Sequence, residues 1–159
     1  MTDLSPWADW PLDREIVLTR LIDAPRSLVY RAWADPEQIP LWFGPDDHAI
    51  DTLEMDLRVG GVWRFTMTTS DGTVYPNRMR FVRLEENALI EVLHGDDKDD
   101  DPGRFAMIVT FDEQANGKTV VTLRQMHPTK AQRAGAIGFG AVEYGFQTLA
   151  KLAAHVGAA

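Results

Sequence analysis

Val59-Gly60-Gly61-Val62-Trp63-Arg64-Phe65-Thr66-Met67-Thr68-Thr69-Ser70-Asp71-Gly72 is the stretch that decides the fold. Val59-Gly60-Gly61 reads as a turn. Trp63, Phe65 and Met67 then alternate with Arg64, Thr66 and Thr68. A period of two puts the large apolar groups on one face of a half-buried strand. Asp71-Gly72 is a hairpin signal, because glycine tolerates the positive φ that a tight turn needs.

Working outward, His48 to Leu57 is a candidate strand before this stretch. Arg78 to Glu85, Ala88 to His94, Phe105 to Asp112 and Thr119 to Met126 follow it, with Asn116-Gly117 as a second hairpin signal. Arg14 to Ile22 reads as a first strand with apolar residues on both faces. The set predicts six or seven strands, mostly consecutive, in an antiparallel meander.

Two short helices are expected between the first strand and the rest. Asp23-Ala24-Pro25 starts one, with Pro25 in the first helical position and Leu28, Val29, Ala32 and Trp33 on its apolar side. Asp35 opens the other, with Pro36 in its first position and Gln38 completing a capping box; Trp42-Phe43-Gly44-Pro45 ends it. Near the C-terminus, Thr129 and Gln132 form another capping box. Phe139, Val142, Phe146, Leu149, Ala153 and Val156 then recur at three- and four-residue spacing. This predicts one long amphipathic helix whose stripe must be buried on the sheet. The fold class expected is α+β, a curved antiparallel sheet with a long C-terminal helix and an apolar pocket between them.

The 159 residues suit one domain, placed at 14–159 behind an arm at 1–13. Trp7 and Trp10 are the arm's only large apolar groups. They dock on the body in the plain reading, or form a homodimer contact in the sharper one. A formal charge of −8 argues against nucleic acid and anionic membrane partners, since phosphate contacts dominate nucleic-acid affinity. The absence of cysteine excludes disulfides, thiolate metal sites and a cysteine nucleophile. No run is apolar or long enough for a signal peptide or a membrane span, so the expected setting is cytoplasmic.

The candidate site residues are those that could line the pocket. Trp63, Phe65, Met67, Met79 and Phe81 serve as plain core or as pocket wall. Phe139, Val142, Phe146 and Leu149 supply the helix side, and Glu143 and His127 are the polar candidates. Gly138 and Gly145 lie on nearly the same side of that helix, either for tight packing or to leave space. The run Asp96-Asp97-Lys98-Asp99-Asp100-Asp101 lacks the ordered spacing of a calcium loop and reads as solvated. No phosphate loop, zinc motif or nucleophile elbow is present, so no catalytic residue, metal or cofactor is assigned.

Four segments carry a family resemblance. They are Ile22-Asp23-Ala24-Pro25 through Trp33, Asp35-Pro36-Glu37-Gln38 through Pro45, Met55-Asp56-Leu57-Arg58-Val59-Gly60-Gly61 with Trp63-Arg64-Phe65, and Leu149 through His155. In these the chain resembles the START-like (SRPBCC) superfamily, within it the heat-shock protein 90 ATPase activator homologue group. The likeness covers about residues 14 to 156. It departs over Gln132 to Val142, which is longer and richer in glycine than the family's entry to the last helix. The resemblance implies a helix-grip fold and a cavity for a small hydrophobic or amphipathic molecule. It supplies no shared catalytic motif. The alternatives are an enzyme of the cyclase or hydrolase kind, using Glu143 or His127, and a chaperone-associated partner-binding module. The family's name comes from a co-chaperone with an additional domain, for which 159 residues leave no room; ligand binding is therefore the leading expectation.

Overall fold

The computed structural model describes residues 12–157. The contacts expected of Trp7 and Trp10 lie outside the described residues. A short 3-10 turn, Leu12–Arg14, leads into β1 (Glu15–Ile22). Then come α1 (Arg26–Ala34), α2 (Ile39–Trp42), β2 (His48–Met55), β3 (Val62–Thr69), β4 (Val74–Glu85) and β5 (Leu89–Asp96). The chain continues through β6 (Phe105–Glu113), β7 (Thr119–Met126), α3 (Lys130–Gly138) and α4 (Ala141–Gly157).

The seven strands form one antiparallel sheet in the order β1-β7-β6-β5-β4-β3-β2. The expected meander is therefore β2 to β7, with β1 added beside β7. Residues 23–47, which carry α1 and α2, cross from one sheet edge to the other. Register shifts interrupt the ladder between Thr52 and Glu54 and between Phe81 and Arg83. Such bulges bend a strand and raise its local twist, which curves the sheet. At the Asp71 hairpin, the Asp71 carboxylate accepts from the Thr69 hydroxyl and from the Thr73 amide.

The concave face and the helices enclose the core. Trp33 and Trp42 pack edge to face at 4.8 Å, and Phe43 meets Trp63 at 5.2 Å. Trp63 stacks on Phe65 at 3.8 Å. Trp42 Nε1 donates to the Ala32 carbonyl and Trp63 Nε1 to the Thr52 hydroxyl, so these two indoles are satisfied, whereas Trp33 Nε1 is buried without a partner. The ring cluster joins α1, α2 and β3.

Several local expectations change. Pro25 is the extended cap before α1, not its first helical residue, and Leu28 is exposed. Its missing N–H makes either position tolerable. The Asp35 carboxylate does cap, accepting from the Glu37 amide and from Gln38 Nε2, but it closes a turn. The helix proper starts at Ile39, with Pro40 in its first turn.

The larger change is at the C-terminus. The single long helix is two, broken at Phe139-Gly140. Thr129 caps α3 as expected, its hydroxyl accepting from the Gln132 amide at 3.0 Å. Gly140 ends it at φ +105, a conformation that costs residues with a Cβ. α4 then restarts from the Gly140 carbonyl.

α4 comes closest to the sheet at β1. At Gly145 a Cβ would lie 2.2 Å from Leu18 Cδ1, so the glycine permits this approach. Farther along α4, Lys151 Nζ donates to the carbonyls of Gly44 and Pro45, and Gln147 Oε1 accepts from the Asp46 amide. The helix thus holds the loop after α2. Gly135, inside α3, has open space around its missing Cβ. Gly135→Ala is therefore expected to raise the unfolding free energy by about 0.5–1 kcal/mol through helix propensity. Gly145→Ala is expected to lower it by about 1–3 kcal/mol through overpacking on Leu18. Urea unfolding of the two variants checks both; changes of the same sign would contradict the assignment.

Candidate functional site

A cavity of about 790 Å³ lies between the concave face and the α3–α4 segment. Its walls are set by the strand period. Met67 on β3, His94 on β5, Phe105 and Met107 on β6, and Leu123 and Gln125 on β7 all line it. Phe43, Gly44 and Pro45 come from the loop after α2, and Gly145 and Thr148 from α4. Tyr75, Pro76, Asp96, Lys98 and Phe139 are exposed lining residues, so they mark its mouth.

Two histidines line the cavity, His127 buried and His94 half-buried. His94 Nε2 lies 3.0 Å from Asn77 Oδ1. Asn77 Nδ2 donates to the Tyr75 carbonyl, which turns Oδ1 toward the histidine. A carboxamide oxygen only accepts, so Nε2 carries the proton and Nδ1 keeps the lone pair. Burial holds His94 down at about 4, against an opposing pull from Asp101, and it is neutral at pH 7. His127 directly follows β7 and is 4% exposed. Burial, then the nearby Arg133 charge, lowers its pKa too. Its Nε2 is buried with no hydrogen-bond partner. Phe105 sits between the two imidazoles, 5.1 Å from His94 and 4.8 Å from His127, stacked on the latter.

Residues 23–157 match the family described as Activator of Hsp90 ATPase homolog 1-like protein. The chain belongs to this family. No curated protein matches it. Among solved structures, a Nitrosomonas europaea protein is 25% identical, with a TM-score of 0.83, and the match covers 92% of this chain and 96% of that one. A Chromobacterium violaceum protein is 26% identical, with a TM-score of 0.74 and coverage of 90% and 96%. A Silicibacter pomeroyi protein bearing the family's short name, AHSA1, is 16% identical, with a TM-score of 0.72 and coverage of 90% and 97%. The α+β helix-grip architecture expected from the sequence is thus that of the family.

Of the sequence-predicted site residues, the cavity brings together Met67, His127 and Phe139. Trp63, Phe65, Met79, Phe81 and Leu149 are fully or almost fully buried and form the packed core, outside the described lining. Their face was read correctly, but a period of two cannot tell how deep along the strand the space begins. Val142 is partly buried against the core. Glu143 is exposed and Phe146 is 47% exposed, both away from the cavity. Both lie within α4, whose buried face runs through Gly145, Thr148, Leu149, Leu152 and Val156; Phe146 falls to one side of that face and Glu143 opposite it. The lining residues that sequence reasoning missed are chiefly His94, Phe105, Met107, Leu123, Tyr75 and Tyr144. For the strand residues the signal existed: His94 and Phe105 are direct cross-strand partners, as are Met67 and Tyr75.

The acidic run is only partly solvated. Arg64 and Arg78 are direct partners on the outward face of β3 and β4. Like charges in register repel unless an anion separates them. Asp97 does so: it accepts from Arg64 Nε and Nη2 and from Arg78 Nε at 2.9–3.1 Å, and its side chain is 10% exposed. The Asp101 carboxylate accepts from the amides of Asp96 and Gly103 and shapes the loop. Among the described residues no cluster of three or more His, Cys, Asp or Glu could hold a metal ion. No described helix is long and apolar enough to cross a membrane.

The two histidine shifts fix a pH dependence. A histidine whose pKa falls on folding binds more protons unfolded, so stability rises with pH in the window between the two values. For His94 that window runs from about 4 to the ordinary 6.5. Acidification from pH 6.5 to 4 is expected to remove on the order of 3 kcal/mol through this group alone. Urea unfolding of the protein and of His94→Phe across that range checks it. The variant should show the shallower slope, and equal slopes would reject a neutral buried His94.

Proposed function

We propose that residues 14–159 act as one binding domain. It takes a small hydrophobic or amphipathic molecule in the cavity between the sheet and the α3–α4 segment. The observation that carries this reading is the cavity itself, about 790 Å³ beside an otherwise closed core. Small-molecule sites usually occupy roughly 300–1,000 Å³ and combine apolar walls with a few polar groups. Met67, Met107, Leu123 and Phe105 supply such walls, and His94, His127 and Gln125 such groups. Trp63, Phe65, Met79, Phe81 and Leu149 serve as the rigid layer behind the lining. Glu143 and Phe146 have no part in it.

Burial of apolar ligand surface supplies the driving force, at about 25 cal/mol per Å² removed from water. Ala136 lines the cavity from α3. Ala136→Trp is expected to fill the space and weaken an apolar fluorescent dye by about ten-fold or more, equal to roughly 1.4 kcal/mol or more, with the fold kept by circular dichroism. Native mass spectrometry of protein taken directly from cells should show a bound small molecule. If it shows none, and dye titration finds nothing above background, the reading is wrong.

A further inference from the structure

We propose that the occupant is a neutral, flat, ring-bearing molecule with one hydrogen-bonding group, such as a hydroxyl, which His127 receives beside the end of β7. This rests on the cavity-binding reading and names the ligand class for that site.

The lining itself separates ligand classes. Eight of the 24 described lining residues carry an aromatic or imidazole ring. Leu123 is the only Leu, Ile or Val among them. An acyl chain gains from flexible contact with many branched aliphatic groups. A planar ring gains from offset or edge-on contact with other rings and from thioether sulfur. Phe105 lies between His94 and His127 with centroids about 5 Å from each, which is the spacing of such contacts. Met67 and Met107 add polarisable sulfur to the same wall.

Charge separates them further. Lys98 is the one Lys or Arg among the described lining residues, and it stands 4.0 Å from the Asp96 carboxylate. Asp96 and Asp97 both border the mouth. Asp97 is already neutralised by Arg64 and Arg78 from the outer face. This set offers an anion little, and the half-buried His94 is uncharged at pH 7. A carboxylate ligand would lose its hydration and meet only Lys98, an exposed cation that already faces Asp96.

His127 identifies the polar group. A buried nitrogen without a hydrogen-bond partner costs about 1–3 kcal/mol and is rare in folded proteins. His127 Nε2 is such an atom, on a side chain that lines the cavity and is 4% exposed. A ligand hydroxyl both donates and accepts, so it satisfies the imidazole in either neutral tautomer. Nε2 has almost no accessible surface as the ring stands against Phe105, so reception of the hydroxyl requires the imidazole to turn about its Cβ–Cγ bond.

The test is equilibrium dialysis of the full chain at pH 7.5 against four probes: 2-naphthol, naphthalene, 2-naphthoate and dodecanoate. 2-Naphthol is expected to bind about ten-fold tighter than naphthalene, the worth of one buried hydrogen bond, and tighter still than the two anions. His127→Phe should abolish the preference for 2-naphthol over naphthalene while naphthalene binding persists. His127→Gln, which keeps a hydrogen-bonding group, should retain part of the preference and guards against a folding defect in the first variant. Equal binding of 2-naphthol and naphthalene to the wild-type protein would overturn the role of His127. Tighter binding of dodecanoate would overturn the ligand class yet leave cavity binding intact. Failure of all four probes would count against both.

Discussion

The contact of α4 with β1 at Gly145 is the constraint from which the remaining architecture follows. A curved sheet of seven strands has one face to bury and must take cover from few helical residues. α1 and α2 cover the end nearest Trp63 and Phe65, where the aromatic cluster is closed. α4 approaches β1 closely because residue 145 has no Cβ to meet Leu18. Its next anchor is the Gly44–Asp46 loop, held by Lys151 and Gln147. A straight helix fixed at those points is not free to settle on β5, β6 and β7. The space it leaves over those strands is the cavity.

The helix break belongs to the same geometry. Had α3 and α4 been continuous, one apolar stripe would have run the full length and filled the groove. Gly140 turns the chain, and α3 departs toward the mouth with Phe139 mostly exposed at its end. The packing loss there is compensated by capping at Thr129 and by Arg133 Nε, which donates to the Glu15 carbonyl and ties α3 to β1.

Much of this was legible from residues alone. β3 was readable because Trp63, Phe65 and Met67 alternate cleanly and are bounded by turn signals. β7 was placed to the residue because Asn116-Gly117 and Pro128 bracket it. The cavity lining was legible only as a face. Trp63 and Met67 share that face, yet one is closed in the core and the other lines the cavity. The difference is set by where α2 and α4 stop covering the sheet, which is a long-range packing result and leaves no local pattern. Glu143 and Phe146 were misplaced by a different route. Phe146 is a larger apolar group than Gly145 or Thr148, so a stripe chosen by size is drawn to one side of the face that α4 buries. The role of Asp97 had a readable cause, two arginines in register on adjacent strands, but only once that register was known.

The size of the cavity sets what it can be. A dry void costs roughly 24 cal/mol per Å³ in destabilisation, so one of this volume would cost on the order of 20 kcal/mol. That exceeds the roughly 5–15 kcal/mol by which a domain is stable at all. The space is therefore occupied, by water or by a ligand, and its polar groups decide how comfortably water sits there. Much of its polar lining is already engaged: His94 is paired with Asn77, and the Thr148 hydroxyl donates to the Tyr144 carbonyl. Water against Phe105, Met107 and Leu123 finds few partners, and each molecule displaced from that wall favours binding. The stability of the sheet is thus arranged around its rigid aromatic end. The other end encloses space walled by Phe105, Met107 and Leu123, where release of water would favour an apolar occupant.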